Sequence, residues 1–331
     1  MINANKPNLW KEDVARSVDL YNTWFMQFAP EAYRSTRVQT TADVKAALKV
    51  LDNLKSINPE IIMNNPTIVP TLRMCTAPPL ARDRLTGLGY LNKSILSSME
   101  DKGAVPPKMK ELELVRNFTA ISGVITKLLD KDIFTWLEDG HVPTDEEVYR
   151  ASTIIADRLC GAVANPIIKN AQEQRQLALI ASYLEERGYD RIKHPSDKPI
   201  TEMKKGTYSF IMNVPIYQSE VTSEDGESGD NEGASKVNLA IDVVIQKKTA
   251  QDGEYPILIE CKSAGDFTNT NKRRKEEAIK SIQLRNTYGS ELKLYLFLCG
   301  YFDTPYLGYE AAEGLDWIWE HRISDFDQLG I

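Results

Sequence analysis

YPILIECKSAGDFTNTNKRRKEEAIKSIQLRNTYG, Tyr255 to Gly289, changes character twice within one short stretch. It begins as an apolar, β-branched run. It then sets Glu260 and Lys262 two residues apart, and from Thr270 to Thr287 it becomes a basic segment of helical character. Ionised groups at the end of a buried strand are costly unless they are paired or bound to something. Residues two apart on a strand share a face. Glu260 and Lys262 therefore project together, while Ile259 and Cys261 point the other way.

Three further runs around this stretch read as strands: TYSFIMNVPIYQ (207–218), KVNLAIDVVIQKK (236–248) and LKLYLFLCGYF (292–302). The second carries a lone acid, Asp242, with 17 residues between it and Glu260. If these two strands pair as a hairpin, Asp242 lies beside Glu260. Two carboxylates so close repel unless a cation sits between them. Hard oxygen ligands suit Mg2+, which keeps waters for a substrate phosphate to replace. A bound metal turns water into a nucleophile at neutral pH and offsets developing charge. Lys262 can position that water or offset charge at the phosphate. The alternative is a strand-edge acid next to an exposed ion pair, an arrangement worth only ~0–1 kcal/mol. Glu-x-Lys itself decides nothing, since Glu100/Lys102, Glu202/Lys204 and Glu291/Lys293 repeat it. The segment that follows favours the first reading. It holds Lys272, Arg273, Arg274, Lys275 and Lys280 against Glu276 and Glu277, in a chain whose net charge is -7.

The acidic balance counts against a uniformly basic nucleic-acid coat but permits a local basic groove. The 331 residues, 42% of them hydrophobic, allow two domains. No run of 18 apolar residues suggests a membrane span. The first residues lack an apolar signal core, so a cytoplasmic protein is expected. The four cysteines lack metal-ligand spacing and read as reduced thiols. Up to about residue 185 the chain reads as helices. Val44, Leu48, Leu51 and Leu54 share a face, with Thr41 as the expected cap. Met109–Gly140 has long helical periodicity. Thr144 and Glu147 have capping-box spacing. Ala171–Tyr189 reads as a separate amphipathic helix closed by Gly188. Glu220 to Glu232 holds six acids and no base, as a solvated loop would.

Asp242 followed by Glu260-Cys261-Lys262 resembles the motif of the PD-(D/E)xK nuclease superfamily, with Ile241 where the motif name places Pro. The wording is closer still. GTYSFIMNVP, AIDVVIQ, IECKSAGDFTNTNKRRKEEA and LCGYFDTPYLGYEAAEGLDWIWEHRI, with PTLRMCTAPPLARDRLTGL and ANPIIKNAQEQRQL upstream, resemble type II restriction endonucleases of the XamI kind. The resemblance implies an α/β (α+β) fold. A largely helical region, 1–170, would serve DNA recognition and dimerisation. A PD-(D/E)xK nuclease core, 171–331, would hold a mixed central sheet flanked by helices. It implies Mg2+-dependent cleavage of double-stranded DNA by a homodimer at a palindrome, GTCGAC being the one associated with this kind. A companion DNA methyltransferase would protect the host. It assigns catalysis to Asp242, Glu260 and Lys262, with Asp242 and Glu260 on the metal. An added acid on the helix before the sheet would be Glu173, Glu185 or Glu186. The competing functions are a structure-specific repair or recombination nuclease and a DNA-binding protein with a degenerate core.

Base edges and phosphates are read by Arg, Lys, Asn and Gln. Arg73, Arg82 and Arg84 sit on a Pro-rich segment expected to be a loop. Asn269, Asn271, Lys272, Arg273, Arg274 and Lys275 follow the candidate metal strand. Each group has an ordinary alternative, as solvated arginines or as helix caps. Trp317 and Trp319 read as core or interface aromatics.

Overall fold

The β-branched and aromatic runs form one sheet. In the computed structural model of the chain, the described residues are 1–195, 198–218, 235–268 and 270–331; the side chains of 162–165, 218, 235–236 and 270–273 lie outside the description. Six strands, β1 (Asp190–Arg191), β2 (Thr207–Gln218), β3 (Ser235–Gln246), β4 (Ile257–Ala264), β5 (Leu294–Gly300) and β6 (Asp316–Trp319), lie side by side in chain order. β2, β3 and β4 form an antiparallel meander, while β4, β5 and β6 are parallel. Parallel neighbours need a crossover. Among the described residues ten α-helices, α1 to α10 in chain order, accompany the sheet, and the last two, Thr270–Tyr288 and Thr304–Ala312, make these crossovers. This is the expected mixed α/β fold.

One face of the sheet, with Tyr208, Val243, Ile245, Ile259 and Phe297, packs on Leu177, Ile180 and Leu184 of α8 (Asp145–Glu186). The other, with Val244, Leu258 and Leu294, packs on Leu284 of α9 (Thr270–Tyr288). The hairpin bends in its middle. Tyr208 and Val243 belong to the α8 face, whereas Met212, Val214 and Ile241 belong to the α9 face. The switch falls at Ile211, which has φ of +50° and stands across the ladder from Asp242, between the pairs Phe210–Val243 and Met212–Ile241. A β-branched residue at positive φ is strained. Here it accompanies the change of direction.

Residues Phe28–Ile168 form one compact unit, and Met1–Gln27 with Lys169–Ile331 form the other. The first 27 residues, which the expected division assigned to the helical region, thus belong with the sheet. Asp316 at the start of β6 explains why: its carboxylate accepts backbone N–H groups from Ile2, Asn3 and Ala4, the last two at 2.9 Å. Arg322 adds Asp13 at 2.7 Å. Gly300 N donates to Ser17 Oγ at 2.8 Å, and at φ of +98° a Cβ there would meet the Ala264 carbonyl oxygen at 2.1 Å.

The helical unit corrects several expected boundaries. α1 runs from Pro7 to Val50, through Pro30, so Thr41 is interior and its hydroxyl donates to the Arg37 carbonyl. The helices expected around Thr144–Ala164 and Ala171–Tyr189 are a single α8 that continues through Pro166. Its start is the expected capping box: Thr144 N donates to Glu147 at 2.8 Å and Glu147 N to Thr144 Oγ1 at 3.3 Å. The Met109–Gly140 helix is instead α6 (Glu111–Leu128) and the single turn α7 (Trp136–Asp139). Between α1 and α6 lie α2 (Pro59–Asn64), α3 (Val69–Met74), α4 (Arg82–Leu88) and α5 (Lys93–Lys102), around a core that includes Leu48, Leu72, Ile95 and Phe118. Among the described residues no helix is long and apolar enough to cross a membrane.

Candidate active site

The bend of the hairpin opens the sheet. The β3–β4 ladder ends at Val243–Ile259, one step short of the point where Asp242 would face Glu260. In place of the missing ladder bond, Cys261 N donates to Asp242 Oδ2 at 2.8 Å. That contact leaves Asp242 Oδ1 without a hydrogen-bond partner among the described residues. Burial, and then the negative charge of Glu260, push the Asp242 carboxyl up to about 6.

Glu260 is 1% exposed. Lys262 Nζ donates to its Oε2 at 3.0 Å, and Lys280 Nζ to its Oε1 at 2.8 Å. Lys280 also donates to the Ala240 carbonyl at 3.2 Å. Burial alone would lower the Lys262 pKa, but Glu260, then Glu277, outweigh it and the net shift is upward. Two carboxylates and two ammonium groups thus meet at the parting of β3 and β4. Of these four, Asp242 and Lys262 line a pocket of about 240 Å³ together with Glu173 and Gln176 of α8, Ser263 of β4 and Glu276 of α9.

A second acidic layer lies behind Lys262. Glu277 of α9 and Glu310 of α10 (Thr304–Ala312) are both buried, and the Tyr306 hydroxyl donates to Glu277. Burial, and then Glu277, push Glu310 up to about 9; burial likewise raises Glu277. As two carboxylates they would leave three buried oxygens with no donor. One proton held between them engages two of those oxygens.

A family model described as XamI restriction endonuclease matches residues 52–319. The type II restriction enzyme SalI of Streptomyces albus G is 51% identical over 330 residues, spanning 100% of both chains. The chain belongs to the XamI restriction endonuclease family. No solved structure matches it.

The XamI-family chain brings Asp242, Glu260 and Lys262 together where β3 and β4 part, and of the three helix acids it places Glu173 in the pocket. Glu185 accepts the Tyr208 hydroxyl at 2.6 Å, and Glu186 is exposed; neither lines it. Lys280, read from sequence as one charge of a basic face, proves to hold Glu260. The signal was its spacing: Glu277, Lys280, Ser281 and Leu284 follow the helical repeat of an inward face.

The expected DNA-contact residues divide. Arg73 and Arg82 lie on α3 and α4 rather than on a loop. Arg73 grips Glu100 with two bonds, at 2.7 and 2.8 Å, and Arg82 bonds Glu100 at 3.2 Å and Asp101 at 2.7 Å. Arg84 is exposed, with no ion pair among the described residues. Arg274 packs over the Tyr309 ring at 3.9 Å, and Lys275 is exposed. Asn269 lies outside the described residues, as do the side chains of Asn271, Lys272 and Arg273 and the acidic stretch 220–232. Trp317 and Trp319 are fully buried.

Proposed function

We propose that this chain hydrolyses phosphodiester bonds in both strands of duplex DNA at a palindromic site, with Mg2+, leaving 5′-phosphate and 3′-hydroxyl ends. The observation that carries the reading is the cluster at the parted strands, Asp242 with Glu260, Lys262 and Lys280. The family's palindrome GTCGAC is the proposed target.

The donor set suits a hard divalent cation. Asp242 Oδ1 has no partner, and the carboxyl is pushed up to about 6 by burial and by Glu260, so a cation there would relieve uncompensated negative charge. Asp242 and Glu260 would hold the ion, Glu260 exchanging one of its two lysines for it, and Glu173 faces the pocket that Asp242 lines. When bound, it would polarise the phosphate and activate the attacking water. Asp242 is kept in place by the Cys261 N–H. Lys280 reaches Glu260 from α9 and balances its charge. Lys262, held charged by Glu260 and Glu277, lines the pocket, where it would orient the water and offset negative charge on the phosphate.

One such cluster cuts one strand at a time. A two-fold homodimer presents two of opposite orientation and matches the symmetry of a palindrome. The helical unit serves recognition and dimerisation. The enzyme works in the cytoplasm beside a methyltransferase that protects the same site. Digestion of a plasmid with Mg2+ tests the core of this: discrete fragments with mapped symmetric cuts are expected. A smear or an uncut plasmid would overturn it. Sedimentation on a short duplex carrying the site should give two protomers, and one protomer cutting both strands would rule out the dimer.

A further inference from the structure

A groove of about 580 Å³ runs along the outer edge of β2, lined by Arg191, Lys193, His194 and Lys198 against Phe210 and Ile211. None of its described lining residues is acidic, in a chain of net charge -7. Arg191, Lys193 and Lys198 are exposed, and none makes an ion pair among the described residues. Arg191 is held over the Phe210 ring at 4.7 Å. His194 Nε2 lies 3.1 Å from the Pro199 carbonyl. β1 covers β2 only at Thr207 and Tyr208. From Ser209 onward the outer edge of β2 has no strand partner among the described residues.

The position of the groove says what that ligand is. Ile211 lines it and stands across the ladder from Asp242. With strands about 4.8 Å apart, and with Arg191 paired to Tyr208 three residues along β2 from Ile211, the far wall at β1 lies roughly 14 Å from the candidate catalytic position. That is about four base pairs at 3.4 Å each. We propose that this groove binds the phosphodiester backbone of duplex DNA beside the cleaved bond, Arg191, Lys193 and Lys198 each meeting one phosphate. The inference rests on the proposed DNA cleavage. It adds a second contact region, at the outer edge of β2.

The experiment is the salt dependence of binding to a duplex carrying the cleaved site, without divalent metal so that no bond is cut. Each neutralised phosphate contributes about 0.9 to the slope of log K against log salt. Removing all three cations together, R191A with K193A and K198A, should lower the slope by about 2.7. A companion variant, K193R with K198R, keeps the charges and should keep the wild-type slope, which separates charge from folding. An unchanged slope in the triple alanine variant overturns the proposal, as does a slope that falls equally in the charge-preserving variant. If the wild type does not bind duplex DNA at all, the cleavage reading falls with it. If it binds and cuts but the triple variant keeps its slope, this inference alone fails.

Discussion

Two nearly buried glutamates in this chain each hold two cations, and they behave differently. Glu100 in the helical unit has its side chain 5% exposed, is gripped bidentately by Arg73, and touches Arg82. Glu260 in the sheet is 1% exposed and is held by Lys262 and Lys280, one on each oxygen. The guanidinium fork fixes geometry, whereas an ammonium is a compact charge that can change partner. The neighbours differ as well. Asp101, beside Glu100, is exposed and already paired with Arg82. Asp242, beside Glu260, is desolvated, has an oxygen without a donor and is pushed up to about 6. The first network is closed and serves the fold. The second is incomplete, and the incompleteness is what a metal and a phosphate could use.

The largest expected effect separates them by activity. Asp242→Ala and Glu260→Ala should each reduce the plasmid cleavage rate by on the order of 10³-fold or more. Asp242→Ala should leave DNA binding without metal nearly intact. Glu100→Ala should retain the activity of each folded molecule. Near-normal cleavage by Asp242→Ala or Glu260→Ala at modest Mg2+ would erase the distinction.

Stability should move the other way. Glu100→Ala leaves Arg73, with an 11% exposed side chain, facing no carboxylate, and should cost about 3–5 kcal/mol in denaturant unfolding. A cost below about 1 kcal/mol would mean that Arg73 is available for DNA after all.

Asp242→Asn sharpens the same contrast. A carboxyl pushed upward in the fold binds its proton more tightly folded than unfolded. Its contribution is fully present below the unfolded value, near 3.8, and is lost as pH rises through about 6. The loss is on the order of 2–3 kcal/mol at pH 7. Asparagine keeps the oxygen that accepts the Cys261 N–H and carries no charge. The metal-free variant should therefore be more stable than wild type at pH 7, by an amount that vanishes near pH 4. Equal stability at both pH values would deny the strain at this site.

The same contrast shows what the sequence could reveal. β2, β3, β4 and β5 were legible because β-branched and aromatic runs bounded by turn residues have few other solutions. Asp242, Glu260 and Lys262 stood out as candidates because charges in such runs need a reason. β1 has two residues and β6 four, too short for a periodicity to stand out. The long helices were divided because Thr41 looks like a cap and Ala171–Tyr189 reads as an amphipathic helix by itself; both α1 and α8 run on through a proline, Pro30 and Pro166. Lys280 and Glu277 were hidden among the charges of a basic helix, since which of them faces inward depends on the sheet beneath. Glu173 could not be chosen over Glu185 and Glu186 until the pocket existed. The roles of Arg73 and Arg82 depended on Glu100 and Asp101, whose distance along the chain concealed them.

The smallest expected effect asks whether both units touch DNA. Lys275 on α9 and Arg84 on α4 are exposed cations without ion pairs among the described residues, one from each unit. If each neutralises one phosphate, Lys275→Ala and Arg84→Ala should each lower the salt slope of binding by about 0.9. That corresponds to about a threefold change in relative affinity across a fourfold range of salt. Lys275→Arg should keep the wild-type slope. If Arg84 reads a base instead, its loss relaxes the cleavage site at one position rather than weakening binding to all sequences alike. An unchanged slope and unchanged specificity in Arg84→Ala would remove the proline-rich segment from the DNA interface, because Arg73 and Arg82 are already committed to Glu100 and Asp101. DNA contact by the helical unit would then have to come from a different surface.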